Sequence, residues 1–149
     1  MVIAKTRRNN ILLAVFFIAL AGAGVLWYLF TEKFGDTSKE KAEYTMGAQD
    51  LIAEFKKNGS LANKKYAEKI IEVTGIVTAV EPADTTANLK MADSTGSYVI
   101  FAFQQQHLAE AKMVKVGDKL SVKGSCSGGA YSEILETEYI TFKRCALSK

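Results

Sequence analysis

The chain has 149 residues, and beyond the first thirty only enough for one ordinary domain. Its 19 Lys+Arg exceed 16 Asp+Glu by three, and Lys5, Arg7 and Arg8 supply that whole surplus, so residues 31–149 are formally neutral. A neutral domain lacks the clustered cations on which phosphate binding rests, which argues against nucleic acid as a partner.

Residues 1–10 form a basic leader. Residues 11–30, from Ile11 to Phe30, carry no charge. At helical rise such a run spans ~30 Å, one hydrocarbon core. The basic cluster precedes it, so the positive-inside rule keeps the N-terminus cytoplasmic and exports the remainder. Lys5, Arg7 and Arg8 then mark the inner interface, and Trp27 and Tyr28 the outer aromatic belt. The rival reading is a cleaved signal peptide, with Ala19-Leu20-Ala21 or Ala21-Gly22-Ala23 as the cleavage site. The apolar run Val25 to Phe30 continues past those small residues and favours an uncleaved signal anchor. The expected partners are therefore the lipid bilayer and other membrane or envelope proteins.

Residues 31–43 are polar and charged and read as a juxtamembrane linker ahead of a domain over residues 44–149. Within Thr45 to Asn58, the residues Ala48, Leu51, Ile52 and Phe55 recur at i, i+3, i+4 and i+7, one face of an amphipathic helix. Asn58-Gly59 stops it, and Ser60 is placed to cap a second short helix, Leu61 to Glu68, anchored by Leu61 and Tyr66. From Lys69 the period becomes two. A long strand runs to about Pro82, with Gly75 marking a bend or bulge. Leu89 and Met91 mark a second strand, and Ser97 to Phe103 a third. Gln104 to Val114 is helix-capable. A fourth strand carries Leu120, Val122 and Gly124, and a last one begins at Tyr139 to Phe142.

Five strands with a helix between the third and fourth is the layout of an OB-fold, a small partly open Greek-key barrel. The expected fold class is therefore α+β or mostly β: a transmembrane helix, one or two short helices, then a five-stranded OB-fold barrel.

The stretch from Met46 to Val80 places Leu51, Phe55, Asn58, Ala62, Lys65-Tyr66, Lys69 and Glu72-Val73-Thr74-Gly75-Ile76-Val77 in a fixed order. Val116-Gly117-Asp118, Val122 to Gly128 and Ile140 to Cys145 follow. In that order these motifs resemble the tRNA_anti-like family of bacterial OB-fold domains, over residues 44–147. The resemblance implies an exported bacterial domain, and the span with its basic leader then places that domain on the outer side of the inner membrane. It implies no catalytic residue. The segment Ser127 to Glu138 is longer than the family pattern leads one to expect.

Candidate chemistry is sparse. His107 is the single histidine, with no Cys-x-x-Cys to complete a zinc site, so it reads as an exposed helix residue and no metal is expected. Cys126 and Cys145 are the two cysteines and candidate disulfide partners. A hairpin centred near Leu135 would bring them opposite each other, whereas a tight hairpin at Gly128-Gly129 would hold them apart. Cys145 is also out of phase with Ile140 and Phe142 unless a bulge intervenes. Asp84, Asp93 and the Ser94-Thr95-Gly96-Ser97 turn read as ordinary turn chemistry. Alternation puts Phe101 and Phe103 in the core and turns Tyr98 outward, as a candidate ligand or partner face. Lys56-Lys57 and Lys64-Lys65 read as solvated helix faces. No catalytic constellation and no cofactor motif is visible. These features point to a membrane-anchored, non-catalytic binding or adaptor module, an accessory subunit of a membrane or envelope assembly. The alternative is an exported OB-fold domain that binds an oligosaccharide or oligonucleotide.

Overall fold

The computed structural model describes residues 2–31 and 35–148. It divides into two units, residues 1–34 and residues 35–149. The first is helix α1, Val2–Thr31. Its segment Asn9–Thr31 is long and apolar enough to cross a membrane, with a mean hydropathy of 2.4 over its most apolar window and none of it buried. Lys5, Arg7 and Arg8 lie in its first turns, and Trp27 and Tyr28 are exposed near its end.

The second unit holds the core. In chain order its elements are β1 (Tyr44–Gly47), α2 (Ala48–Lys57), α3 (Gly59–Tyr66), β2 (Ile70–Ile76), β3 (Ala79–Pro82), β4 (Ala87–Ala92), β5 (Tyr98–Phe103), α4 (Leu108–Met113), β6 (Lys119–Ser132) and β7 (Thr137–Leu147). They build one sheet in the order β1-β2-β6-β7-β5-β4-β3. The β1–β2 and β5–β7 pairs are parallel and the others antiparallel.

This corrects the expected five-stranded barrel. The sheet has seven strands, and hydrogen bonding does not close it: β1 and β3 are its edges. Two local events make the difference. The long first strand is broken at Val77-Thr78 into β2 and β3, which stand near opposite ends of the strand order. At the break the Val77 amide turns to the Asp118 carbonyl at 2.9 Å and the Thr78 amide to the Lys90 carbonyl at 2.8 Å. The chain thus joins the two halves of a curled sheet where no ladder does. The second event is β1, which adds in parallel to β2 with Tyr44 opposite Ile71. Both edges are only four residues long and one ends in Pro82, features that discourage further strand addition.

The four apolar positions read on α2 are all buried. Phe55 and Leu51 are fully enclosed, each contributing about 2–3 kcal/mol of burial. Helix α3 differs from expectation. Asn58 caps it, its Oδ1 accepting from the Leu61 amide at 3.0 Å, and Leu61 itself is exposed while Ala62 and Tyr66 face inward. Gly75 lies in β2 rather than at the break. Its role is close approach: a Cβ there would lie 2.8 Å from Met91 Sδ and 3.0 Å from Ala48 Cβ.

The expected linker is partly folded onto the domain. Thr37–Lys39 form a 3-10 turn capped by Asp36, and Thr37 is buried. The Thr37 amide donates to Gln104 Oε1 at 3.3 Å, Lys123 Nζ donates to the Glu40 carbonyl at 3.0 Å, and the Glu43 amide donates to the Ile70 carbonyl at 2.8 Å. Residues 32–34 of the linker lie outside the described residues.

Candidate functional site

Four neighbouring strands, β4, β5, β7 and β6, turn one face away from the core. On β4 and β5 burial alternates: Leu89, Met91, Val99 and Phe101 point inward, while Lys90, Ala92, Tyr98 and Ile100 point outward and are half-exposed. The register then aligns outward residues into rows. Ala92 pairs with Tyr98, Tyr98 with Tyr139, and Tyr139 with Ala130. The next row is Lys90, Ile100, Thr141 and Gly128.

The first row sets two aromatic rings side by side between two methyl groups. The Tyr98 and Tyr139 centroids are 6.3 Å apart with planes inclined by 25°. Lys90 Nζ stands 5.2 Å from the Tyr98 centroid and 2.6 Å from Glu81 Oε1. Small residues extend the surface as a shallow groove along Ser127, Gly128, Gly129 and Ala130, bounded by Asn63, Tyr139 and Thr141. Flat rings with a low-walled approach offer stacking area at small conformational cost.

The frame behind this surface is rigid for identifiable reasons. Gly128 has φ +108, in a bulge of β6, a conformation that favours glycine. Asn63 of α3 fills the bulge like a piece of strand. Its Nδ2 donates to the Gly129 carbonyl at 2.8 Å, and the Gly129 amide donates to its Oδ1 at 2.9 Å. On the inner side the Phe55 ring packs so closely that a Cβ on Gly129 would lie 2.7 Å from it. The β4–β5 turn is tied by Asp93, whose Oδ1 accepts from the amides of Thr95 and Ser97 at 2.8 and 3.1 Å. Burial raises the Asp93 carboxyl, but the bonds from Lys56 and Thr95 outweigh it and bring it down to about 2.

The remaining sequence candidates sit elsewhere. His107 is half-buried rather than exposed, with a side chain 13 % accessible, and its Nε2 lies 2.8 Å from Asp36 Oδ1. That bond and the Ser38 hydroxyl hold the Asp36 carboxyl well below the ordinary range. The pair clasps residues 36–38 to the α4 end of the domain. Cys126 and Cys145 are both free and buried. The β6–β7 turn does fall at residues 133–136, near Leu135, and two register shifts supply the bulges that bring Cys145 inside. Burial pushes both thiols up, Cys145 the further, so neither forms a thiolate near neutral pH. Among the described residues no group of three His, Cys, Asp or Glu side chains is placed to hold a metal. Asp93 serves its own turn, as read from the sequence.

Tyr139 was legible but unread: it alternates with Ile140 and Phe142, so it must face away from them. Its position beside Tyr98 was not legible, because β5 and β7 are parallel and separated by α4 and β6 in the chain.

The tRNA_anti-like family model matches residues 1–138, and the chain belongs to that family. The match includes the N-terminal helix and so extends well before residue 44. No curated protein matches the chain at a significant level. A solved structure of a Klebsiella pneumoniae lipoprotein, described as a candidate nucleic acid-binding protein, is 15% identical with a TM-score of 0.57, and the match covers 78% of this chain and all of that one. The Schizosaccharomyces pombe Stn1-ten1 complex matches at 13% identity and TM-score 0.37, covering 54% of this chain and 58% of its own. Asparaginyl-tRNA synthetase of Pyrococcus horikoshii matches at 16% identity and TM-score 0.40, covering 56% of this chain and 20% of the enzyme. At those TM-scores the last two do not inform the reading of the site.

The charge-based exclusion of nucleic acid is corrected here. The chain belongs to the tRNA_anti-like family and shares its fold with a lipoprotein described as a candidate nucleic acid-binding protein, so net charge does not exclude that class of ligand. Charge summed over a domain says nothing of a local aromatic surface, and stacking on a ring face needs no net positive charge.

Proposed function

We propose that the domain is a non-catalytic binding module that takes a single-stranded oligonucleotide by base stacking on Tyr98 and Tyr139. The observation that carries this reading is the row Ala92, Tyr98, Tyr139, Ala130, which sets two near-parallel rings on an accessible sheet face. The candidate nucleic acid-binding lipoprotein of similar fold supports the same class of ligand. Stacking contributes about 1–3 kcal/mol per base. Lys90 is already paired with Glu81, so few phosphates are neutralised and binding depends weakly on salt.

Fluorescence anisotropy of labelled single-stranded DNA and RNA against the full chain tests this, with oligosaccharides as competitors. Tyr98→Ala and Tyr139→Ala each weaken binding by about 5- to 150-fold, the equivalent of one lost stack. Unchanged affinity in both variants, or competition by sugars alone, overturns the nucleic-acid assignment.

We further propose that α1 anchors the chain in the bacterial inner membrane, with its basic leader in the cytoplasm and the sheet domain outside. Cysteine labelling from outside intact cells at an exposed position such as Leu135→Cys checks this; protection of that site from an impermeant reagent contradicts it. A second reading, an accessory subunit of an envelope assembly, draws on the β6–β7 tip, where Ile134 is 94 % exposed beside exposed Leu135 and Tyr131. Purification of the full chain from native membranes in mild detergent decides it: a stoichiometric partner supports it, and an isolated monomer counts against it.

A further inference from the structure

One corner of the domain combines exposed apolar tips with lysines, and no part of the stacking surface uses it. Residues 115–118 form a turn in which the Asp118 amide donates to the Lys115 carbonyl at 3.1 Å and Gly117 has φ +95. Val116 occupies the apex and is 64 % exposed, where turn chemistry ordinarily places a polar residue. The turn is fastened to the β2–β3 break, the Gly117 amide donating to the Val77 carbonyl at 2.8 Å. Ile76, adjoining that break, is 57 % exposed, and Met113 at the end of α4 is 76 % exposed.

Three lysines accompany these side chains along the chain or across the strand pair. Lys119 is the cross-strand partner of Ile76 and shares its face. Lys115 begins the turn, and Lys112 reaches the Asp84 carbonyl at 3.4 Å. Asp118 is the one carboxylate in the turn, and its Oδ2 is engaged by the Lys115 amide at 2.9 Å. Apolar tips with lysines beside them match an anionic bilayer, which takes the tips below its headgroups and the ammonium groups among its phosphates. The corner offers no aromatic ring, so it does not suit base stacking. Another exposed apolar tip, Ile134-Leu135, is flanked by Glu133 and Glu136 and has the wrong charge for such a surface.

We propose that Ile76, Met113 and Val116, with Lys112, Lys115 and Lys119, form a docking surface for an anionic lipid bilayer. The proposal rests on the reading of α1 as a membrane anchor, because a chain held at the bilayer meets headgroups at high local concentration. Docking would hold the domain in a set orientation while the tyrosine face receives its ligand.

The test uses the full chain in lipid nanodiscs, with an environment-sensitive fluorophore on Val116→Cys or, separately, on Ile134→Cys; buried Cys126 and Cys145 stay unlabelled in the folded protein. Discs contain phosphatidylcholine alone or with phosphatidylglycerol, and brominated lipids serve as quenchers. The expected result is quenching at position 116 that requires phosphatidylglycerol, with little at position 134. Replacing Lys112, Lys115 and Lys119 by Gln then lowers the docking equilibrium constant by about fivefold per lysine. An unquenched label at 116, or equal quenching at 116 and 134, overturns the proposal. So does quenching indifferent to phosphatidylglycerol, or protection of the 116 label by an oligonucleotide instead of by lipid. A chain that washes off the discs at alkaline pH yet shows the charge-dependent quenching loses the anchor and keeps the surface. A chain that resists the wash without quenching does the reverse.

Discussion

Strand β5 presents two surfaces from alternate residues of one six-residue run. Val99 and Phe101 are fully enclosed and Phe103 nearly so, whereas Tyr98, Ile100 and Ala102 face outward. The inner set is held by contacts on every side, Phe101 meeting the Phe142 ring at 5.2 Å. The outer set has neighbours only along the sheet, Tyr98 meeting Tyr139 at 6.3 Å. Alternation thus separates the residues that make the domain stable from those free to meet a ligand, and substitutions on the two faces should fail in different ways.

The largest effect lies on the inner face. Phe101→Ala removes a wholly buried ring and should cost about 3–5 kcal/mol, read as a lower midpoint in denaturant. Comparable stability to the parent chain would mean that β5 does not alternate as described. Next is Asn63→Ala, which strips Gly129, next to the β6 bulge, of both its side-chain bonds and should cost about 2 kcal/mol. Because that bulge also frames the groove beside Tyr139, ligand affinity should fall along with stability, unlike for the tyrosines.

Acid sharpens the contrast at the β4–β5 turn. The folded Asp93 carboxyl sits at about 2, below its ordinary value, so its contribution is complete above about pH 4 and lost as pH falls towards 2. The loss should be on the order of 1–2 kcal/mol, and Lys56→Ala should flatten that part of the stability–pH curve. The lowered Asp36 carboxyl acts with the same sign, its clasp on His107 present above the ordinary carboxylate range and weakened as acid protonates it. A curve unchanged by Lys56→Ala would remove Lys56 as the cause. The smallest stability effect is on the outer face: Tyr98→Ala should change stability by less than about 1 kcal/mol while abolishing one stack. A large loss of stability there, without loss of ligand, would make Tyr98 a structural residue after all.

Much of the domain could be read in the chain. The buried stripe of α2 follows from its spacing, and Tyr98 opposes Phe101 and Phe103 by period two. The turn at Asp93 follows from its Asp-Ser-Thr-Gly chemistry. Other parts were illegible for definite reasons. The α2 signal begins at Ala48 and masked the four residues of β1, whose partner strand lies a helical hairpin later. Leu61 looked like an anchor because it is apolar, yet Asn58 capping sets the phase of α3 so that Ala62 and Tyr66 point inward. His107 looked exposed because its partner, Asp36, is 71 residues away. The charge count misled on ligands because it averages over faces that meet different things.

The amino-acid order alone determined the apolar segment, the helical stripe, the alternating strands and the outward turn of Tyr98, since each depends on neighbours within one turn or one strand. Only the tertiary structure decided that the sheet has seven strands with its ends joined by chain instead of a ladder. It also decided that Tyr98 stands beside Tyr139 and that the linker folds onto the domain. Those outcomes depend on pairings between distant segments, where register and bulges select among arrangements that local propensity leaves equal.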